Sequence, residues 1–380
     1  MTIGFDAKRL FANRSGLGNY SRTLVRSLLR FGPDELRVHL YTPRVDARID
    51  VADVTGDPRV TVHRPPTGWP GALWRSYGVT RRFRADGLDV FHGLSHELPL
   101  KLAETGVAGV VTIHDLIYRR YPEQFEAWDR RVYDLKFGHA VAQAQRVVAI
   151  SEQTKADLLA RYPALAPDRV RVVYQSCGEA FAELPRHKVV EATLAARGLR
   201  RGYLLYVGSF VARKRPELVP EIAAGLPDDL RPDSIVFVGR GPDAYREDVR
   251  AAAERRGFTA HVLTDVDDDR ELVALYGGAA ALVYPSVYEG FGIPVAEGLL
   301  AGIPVVTTRT GALEEAGGPH AFYGEPDAAA SLASALAEAL RLSRAAREAR
   351  MAAGRAYAKT QFGAEARARE LLALYREMLS

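Results

Sequence analysis

Glu289 and Glu297, eight residues apart, enclose the stretch Gly-Phe-Gly-Ile-Pro-Val-Ala, the most informative chemistry in this sequence. The run Ala280-Ala281-Leu282-Val283-Tyr284 reads as a buried strand closed by Pro285. A Gly-rich turn follows, and Pro294 suits the first helical position, where its missing N–H would be an orphan anyway. Glu289 is therefore expected in the loop and Glu297 about one turn into the helix. The free N–H groups of Gly292 and Ile293 would point at whatever ligand binds there. A helix start at the carboxyl edge of a strand favours phosphate. Two carboxylates repel phosphate alone, but they suit a ligand bearing hydroxyls and phosphates together, a sugar nucleotide. The plain alternative for Glu297 is a first-turn acid favoured by the helix dipole.

Other segments offer matching chemistry. Ser15-Gly16-Leu17-Gly18-Asn19 follows the first strand and opens a helix, so backbone N–H groups at Gly16 and Gly18 would approach a phosphate closely; the alternative is a flexible loop. Thr112-Ile113-His114-Asp115 ends an apolar strand, and an imidazole there donates to a sugar hydroxyl without permanent charge, or else caps a turn. Capping is the expected role of Asp115. Val207-Gly208-Ser209 leads to Arg213 and Lys214, placed ahead of a helix that Pro216 helps to start. Cations there oppose the helix dipole unless an anion lies between them. The alternative is solvated surface charge.

Asp265-Val266-Asp267-Asp268-Asp269 contains an Asp-x-Asp that would suit Mg²⁺ or Mn²⁺. An amphipathic helix starts at once after it, so these acids read as a cap and first turn, and no metal site is assigned. Residues 69–84 interleave Trp69, Trp74 and Tyr77 with Arg75, Arg81, Arg82 and Arg84. That pattern suits either a membrane or lipid-headgroup surface or a helix with an aromatic core face. Residues 92–99 follow another strand end and are expected to border an acceptor site.

Short apolar runs alternating with amphipathic segments must position these groups, the pattern of parallel sheets with crossover helices. Strands are expected at 2–6, 36–42, 59–63, 88–92, 107–113, 146–150 and 169–174. A second series is expected at 202–207, 234–239, 259–263, 280–284, 303–307 and 321–323. The result is α/β, with two Rossmann-like doubly wound domains. An N-terminal acceptor-binding domain is expected over 1–185 and a nucleotide-sugar-binding domain over 200–361. Residues 178–200, interrupted by Pro185, read as the linker, and 362–380 as an amphipathic C-terminal helix.

The Glu-x7-Glu segment resembles the signature of retaining glycosyltransferases of family 4, and the other motifs fall at successive strand ends in that family's order. The resemblance implies the GT-B fold, with two domains facing a central cleft and the C-terminal helix crossing back to the first. It also implies roles: Glu289 beside the donor sugar, Glu297 on the nucleotide ribose, and His114 near the hexose 6-hydroxyl. Arg213 and Lys214 would neutralise the donor diphosphate in place of a metal, with Gly16, Gly18, Gly208, Gly292 and Ile293 lining it. The run Leu116-Ile117-Tyr118-Arg119-Arg120-Tyr121-Pro122-Glu123 is similar to bacterial mannosyltransferases of the family, which makes GDP-mannose the expected donor and a UDP-hexose the second. The acceptor expected from the family is a growing polysaccharide or a lipid-linked glycan. Thr264 and Asp265 depart from the Gly-aromatic pair usual at the nucleobase loop, leaving the base open. An epimerase, a phosphorylase or a non-catalytic nucleotide-sugar-binding partner subunit are the rivals.

Composition narrows the setting. The 380 residues are 47% hydrophobic and 26% charged, enough for two cores. Cys177 is the one cysteine, so neither a disulfide framework nor a thiolate cluster is expected, which favours a reducing cytoplasm. The chain enters its first strand directly, so no signal peptide is expected. Residues 1–200 carry 30 Lys and Arg against 22 Asp and Glu, whereas the remainder carries 21 against 25. A basic first half would suit an anionic acceptor or the inner face of a membrane, or it is a solvated Arg-rich surface. Nucleic acid is not expected, because the basic residues are dispersed.

Overall fold

The computed structural model describes residues 1–184 and 186–380. Thirteen strands form two parallel sheets among the described residues. The first sheet holds β1 (Thr2–Asp6), β2 (Arg37–Tyr41), β3 (Val60–His63), β4 (Val90–Gly93), β5 (Ala108–Ile113), β6 (Arg146–Ala149) and β7 (Val170–Val172). The second holds β8 (Leu204–Val207), β9 (Ser234–Val238), β10 (Thr259–Leu263), β11 (Ala281–Tyr284), β12 (Val305–Thr308) and β13 (Phe322–Gly324). Every expected strand is present within a residue or two of its expected bounds. The orders, β3-β2-β1-β4-β5-β6-β7 and β10-β9-β8-β11-β12-β13, repeat one topology. Each order reverses once, at β1/β4 and at β8/β11, and ligands of such sheets gather at the carboxyl ends of those strands.

The strands are continuous apolar runs because helices cover both faces. All residues of β5, β11 and β12 are buried. Chain contacts divide the molecule into residues 1–176 with 364–380, and residues 177–363. The boundary therefore lies at 176/177 instead of between 185 and 200. The segment read as a linker belongs to the second unit, where the helix His187–Ala196 packs on the helix Asp269–Gly278. Its polar composition masked a narrow apolar stripe, Val190 and Leu194, both buried. Pro185 lies outside the described residues. The terminal helix Ala364–Leu379 packs on the helix Gly16–Phe31 in the first unit, burying Leu371, Leu372, Leu374 and Tyr375.

Two local readings change. A short helix, Lys8–Ala12, separates β1 from the Gly16 turn. Pro216 starts a 3-10 turn over Pro216–Leu218, and the helix begins only at Val219. No helix among the described residues is long and apolar enough to cross a membrane.

Candidate active site

The second unit gathers charge at its β8/β11 switch point. Tyr284 ends β11, and the chain then turns through Ser286 to Glu289, whose side chain is 10% exposed. Four donors converge on one oxygen of that carboxylate. Arg213 Nη1 reaches Glu289 Oε1 at 2.8 Å, as do the hydroxyls of Tyr284 and Ser286. Lys214 Nζ lies 3.4 Å from the same oxygen and donates to the Tyr284 hydroxyl at 2.7 Å. Burial alone would raise the Glu289 pKa, but the Lys214 and Arg213 charges and the two hydroxyls outweigh it and hold it at about 2. A carboxylate so stabilised is a poor base and a poor nucleophile, and it serves as a fixed negative charge.

Arg213 and Lys214 sit in a 3-10 turn, Ala212–Lys214, ended by Arg215 in the left-handed region with φ 50°. Arg215 Nε donates at 2.6 Å to Asp327, itself left-handed with φ 57°. Such backbone costs about 1–3 kcal/mol at each residue and persists where its surroundings fix it. Arg213 is oriented by the Tyr288 carbonyl, at 2.9 Å, as well as by Glu289. Gly208 ends at the same place: a Cβ there would lie 3.3 Å from the Tyr284 ring and 3.4 Å from Lys214 Cδ.

The helix Ile293–Leu300 starts from Gly292, whose φ of 103° only glycine adopts readily; a Cβ would also meet Leu313 at 2.5 Å. Glu297 on this helix is 9% exposed and lies apart from the cation cluster's hydrogen bonds. The Tyr276 hydroxyl donates to its Oε2 at 2.9 Å. Burial, with Asp269 adding repulsion, raises its pKa to about 8 against the Tyr276 bond. A partly protonated carboxyl both donates and accepts, so Glu297 is equipped for vicinal hydroxyls and not for a cation.

The first unit carries imidazoles at its strand ends. His114, after β5, is buried; its Nε2 bonds the Leu94 carbonyl at 2.9 Å and the Tyr20 ring meets it edge-on at 4.5 Å. Burial lowers its pKa to about 4, so the ring is neutral. A carbonyl only accepts, so Nε2 carries the proton and Nδ1 keeps the lone pair. Nδ1 is therefore an acceptor, whereas the sequence predicts a ring that donates to a hydroxyl. Asp115 caps the following turn through the Ile117 N–H, at 3.0 Å. Behind His114 runs a buried chain. Tyr20 OH meets Thr112 Oγ1 at 3.0 Å, Thr112 meets His92 Nε2 at 2.8 Å, and His92 Nδ1 meets Tyr375 OH at 2.6 Å.

Of the two glycines at the first helix, Gly18 is spent structurally. Its N–H bonds the Asn13 side chain at 3.1 Å, and a Cβ would lie 1.9 Å from the Asn13 carbonyl oxygen. Gly16, where a Cβ meets nothing within 4 Å, remains the phosphate-facing candidate. The Asp-x-Asp separates into arginine partners and a cap. Arg197 holds Asp265 at 2.9 Å, Arg240 holds Asp267 at 2.6 Å, and Asp268 caps the helix through the Arg270 N–H at 2.8 Å.

The structure thus joins Arg213, Lys214, Glu289 and Gly208 in one cluster, sets Gly292, Ile293 and Glu297 on one helix start, and places His114 and Gly16 in the first unit. Sequence reasoning missed Ser286, Tyr276 and Tyr284 as ligands of the two carboxylates. Tyr284 and Ser286 flank the strand-ending Pro285, which was the available signal; Tyr276, from a separate helix, gave none.

The sequence model described as Glycosyltransferase Family 4 matches residues 14–176, and that described as Glycosyl transferases group 1 matches residues 196–358. Together they account for most of the chain. The O-antigen chain mannosyltransferase B of Escherichia coli is 26% identical over 243 residues, covering 63% of this chain and 61% of that protein. The chain spans about three fifths of that relative and half or less of the other curated relatives it matches. Among solved structures, a glycosyltransferase from Rickettsia africae superposes with a TM-score of 0.76 at 17% identity, covering 100% of this chain and 98% of that one. Anabaena HepE in complex with UDP superposes with a TM-score of 0.74 at 15% identity, covering 99% of each. These two likenesses establish the fold.

Proposed function

Because the chain belongs to glycosyltransferase family 4, we propose that it transfers a hexose from a nucleoside diphosphate sugar to a glycan or lipid-linked glycan, with retention and without a metal ion. The observation that carries this is the cluster of Arg213 and Lys214 on Glu289 Oε1. One carboxylate against two cations leaves a unit of positive charge, so a diphosphate can enter without displacing Glu289. As the glycosidic bond breaks, negative charge grows on the departing phosphate oxygens, and fixed cations stabilise that charge more than the ground state. Glu289 stands opposite the developing oxocarbenium as a fixed anion. Its four donors make it too weak a nucleophile for a covalent intermediate, which favours attack of the acceptor from the face of the departing phosphate, with that phosphate taking the proton. Glu297 holds the ribose hydroxyls and His114 Nδ1 accepts from a hexose hydroxyl.

Mannose from GDP-mannose is the proposed donor, supported by the mannosyltransferase relative and the run after His114. Synthesis of cell-surface polysaccharide at the inner face of the membrane is the proposed setting. The test is transfer and thermal stabilisation with GDP-mannose, UDP-glucose and the free diphosphates, with and without EDTA. A ligand at 100 times its Kd adds about 2.7 kcal/mol of stability. Stabilisation by GDP and GDP-mannose that survives EDTA is the expected result. A response to UDP alone would transfer the assignment to a UDP-hexose. A response needing Mn²⁺ would overturn the metal-free chemistry.

A further inference from the structure

We propose that His39, His63 and Asp86 form a binding site for one borderline divalent metal ion such as Zn²⁺, separate from the transfer chemistry. His39 lies on β2 and His63 on β3, where His63 pairs in register with Tyr41, so the two imidazoles are diagonal neighbours on one face of the sheet. Their rings are nearly parallel, 12° apart, with centroids at 5.0 Å and His39 Nδ1 only 2.8 Å from His63 Nε2. That N···N distance with that centroid spacing means the rings meet edge to edge, lone-pair sites converging. Asp86 Oδ2 stands 3.7 Å from His63 Nε2, and the three ligand atoms lie within 4.8 Å of one another.

Two nitrogens and one carboxylate oxygen are a donor set for Zn²⁺ with a fourth position left to water. Bonds of about 2.0–2.1 Å in tetrahedral geometry require the nitrogens to part by about half an ångström beyond the present 2.8 Å and the two rings to turn toward the ion. Each neutral ring carries one proton, and coordination requires both facing nitrogens to be bare. The proton shared between the rings moves to the other nitrogen of the ring that held it, so binding releases no net proton. A supporting shell is in place. The Tyr41 ring stacks on His63 with centroids at 4.7 Å, and its hydroxyl holds Asp86 Oδ2 at 2.7 Å. Arg82 bonds both Asp86 oxygens, at 3.2 and 3.0 Å, orienting the carboxylate and opposing a dication, so a site of moderate affinity is expected. Metal there would staple β2 and the edge strand β3 to the turn at Asp86.

The test is titration of the full, EDTA-stripped chain with Co²⁺, read by its visible d–d absorption, followed by Zn²⁺ competition. One equivalent should bind with a tetrahedral spectrum and be displaced by Zn²⁺. His39→Gln and Asp86→Asn should each weaken binding at least about ten-fold, and Tyr41→Phe by about ten-fold, with metal-free circular dichroism unchanged. Equal affinity in His39→Gln and the wild type, or no uptake at micromolar Co²⁺, would overturn the site. Should a variant not fold, carbethoxylation of the wild type answers instead. Zn²⁺ must protect His39 and His63 selectively by peptide mapping, and equal labelling with and without Zn²⁺ would also overturn it.

Discussion

The two sheets share one strand order, yet their carboxyl ends are furnished in opposite ways. The second unit places fixed ions there: Arg213, Lys214 and a Glu289 held at a pKa of about 2. The first unit places neutral rings there, His92 and His114 with pKa values lowered to about 3 and 4 by burial. The same scaffold thus provides one end suited to a diphosphate and another suited to uncharged hydroxyls. Topology dictates where a ligand can bind, whereas the side chains at those strand ends dictate what kind.

The sharpest way to break this comparison is to remove charge from the second unit. Lys214→Ala and Arg213→Ala should each lower kcat by about 10²–10³-fold, because in the proposed mechanism each would delete a fixed donor to the leaving group. Glu289→Gln should lower kcat comparably while keeping an acceptor for Tyr284 and Ser286, so the fold survives. A Glu289→Ala chain, by contrast, leaves two cations facing each other and should lose about 3–5 kcal/mol of stability. Turnover of Glu289→Gln within three-fold of the wild type, measured with saturating donor, would remove the carboxylate from the mechanism.

In the first unit the loss should be smaller. His114→Ala removes one neutral hydrogen bond, about 1.4 kcal/mol or ten-fold in kcat/KM, with most of the effect in KM for the sugar nucleotide and little for the free diphosphate. If Kd for the diphosphate itself rises in step, His114 serves the phosphates, and the contrast between the two units fails.

The thirteen strands were legible because short, mostly apolar runs of three to seven residues, closed by Gly, Pro or polar clusters, have few other homes in a chain of this composition. The cation pair, the two glutamates and the imidazole were legible because each falls just after such a run. What stayed hidden depends on contacts distant in sequence. Nothing near Glu297 announces Tyr276, and nothing near His114 announces that the Leu94 carbonyl accepts from its Nε2. The boundary was misplaced because the helix His187–Ala196 buries only a thin stripe, Val190 and Leu194, beneath a polar surface. The Asp-x-Asp run reads as a cap, which Asp268 is, but the partners of Asp265 and Asp267, Arg197 and Arg240, come from elements far apart in the chain.

Within the second unit the two carboxylates provide a test by pH. Glu289 has a folded pKa lowered from 4.5 to about 2, so the unfolded state binds more protons between those values. Its contribution to stability is present above pH 4.5 and lost as the pH falls through 2. Glu297 has a folded pKa raised from 4.5 to about 8, so the native state binds more protons across that window. Stability therefore falls as the pH rises from 4.5 to 8, and Glu297→Gln should abolish that fall while Glu289→Gln leaves it. Urea unfolding of both variants between pH 5 and 8 reads the difference; parallel slopes would show that the two environments do not differ.

The smallest effect is expected at Tyr375, and it asks whether the neutral network of the first unit has a purpose beyond holding the terminal helix. Tyr375→Phe keeps the ring packed against His92 but leaves His92 Nδ1 without its partner in a fully buried position. An unpaired buried polar group costs about 1–3 kcal/mol. Since Thr112 and Tyr20 still stand between His92 and the His114 ring, transfer should change by less than about three-fold, within the scale of a single net hydrogen bond. Urea unfolding and steady-state kinetics on the same preparation separate the two effects. A ten-fold fall in kcat/KM without loss of stability would mean that the chain from Tyr375 through His92 and Thr112 to Tyr20 sets the orientation of His114. The neutral end would then be positioned as tightly as the charged one.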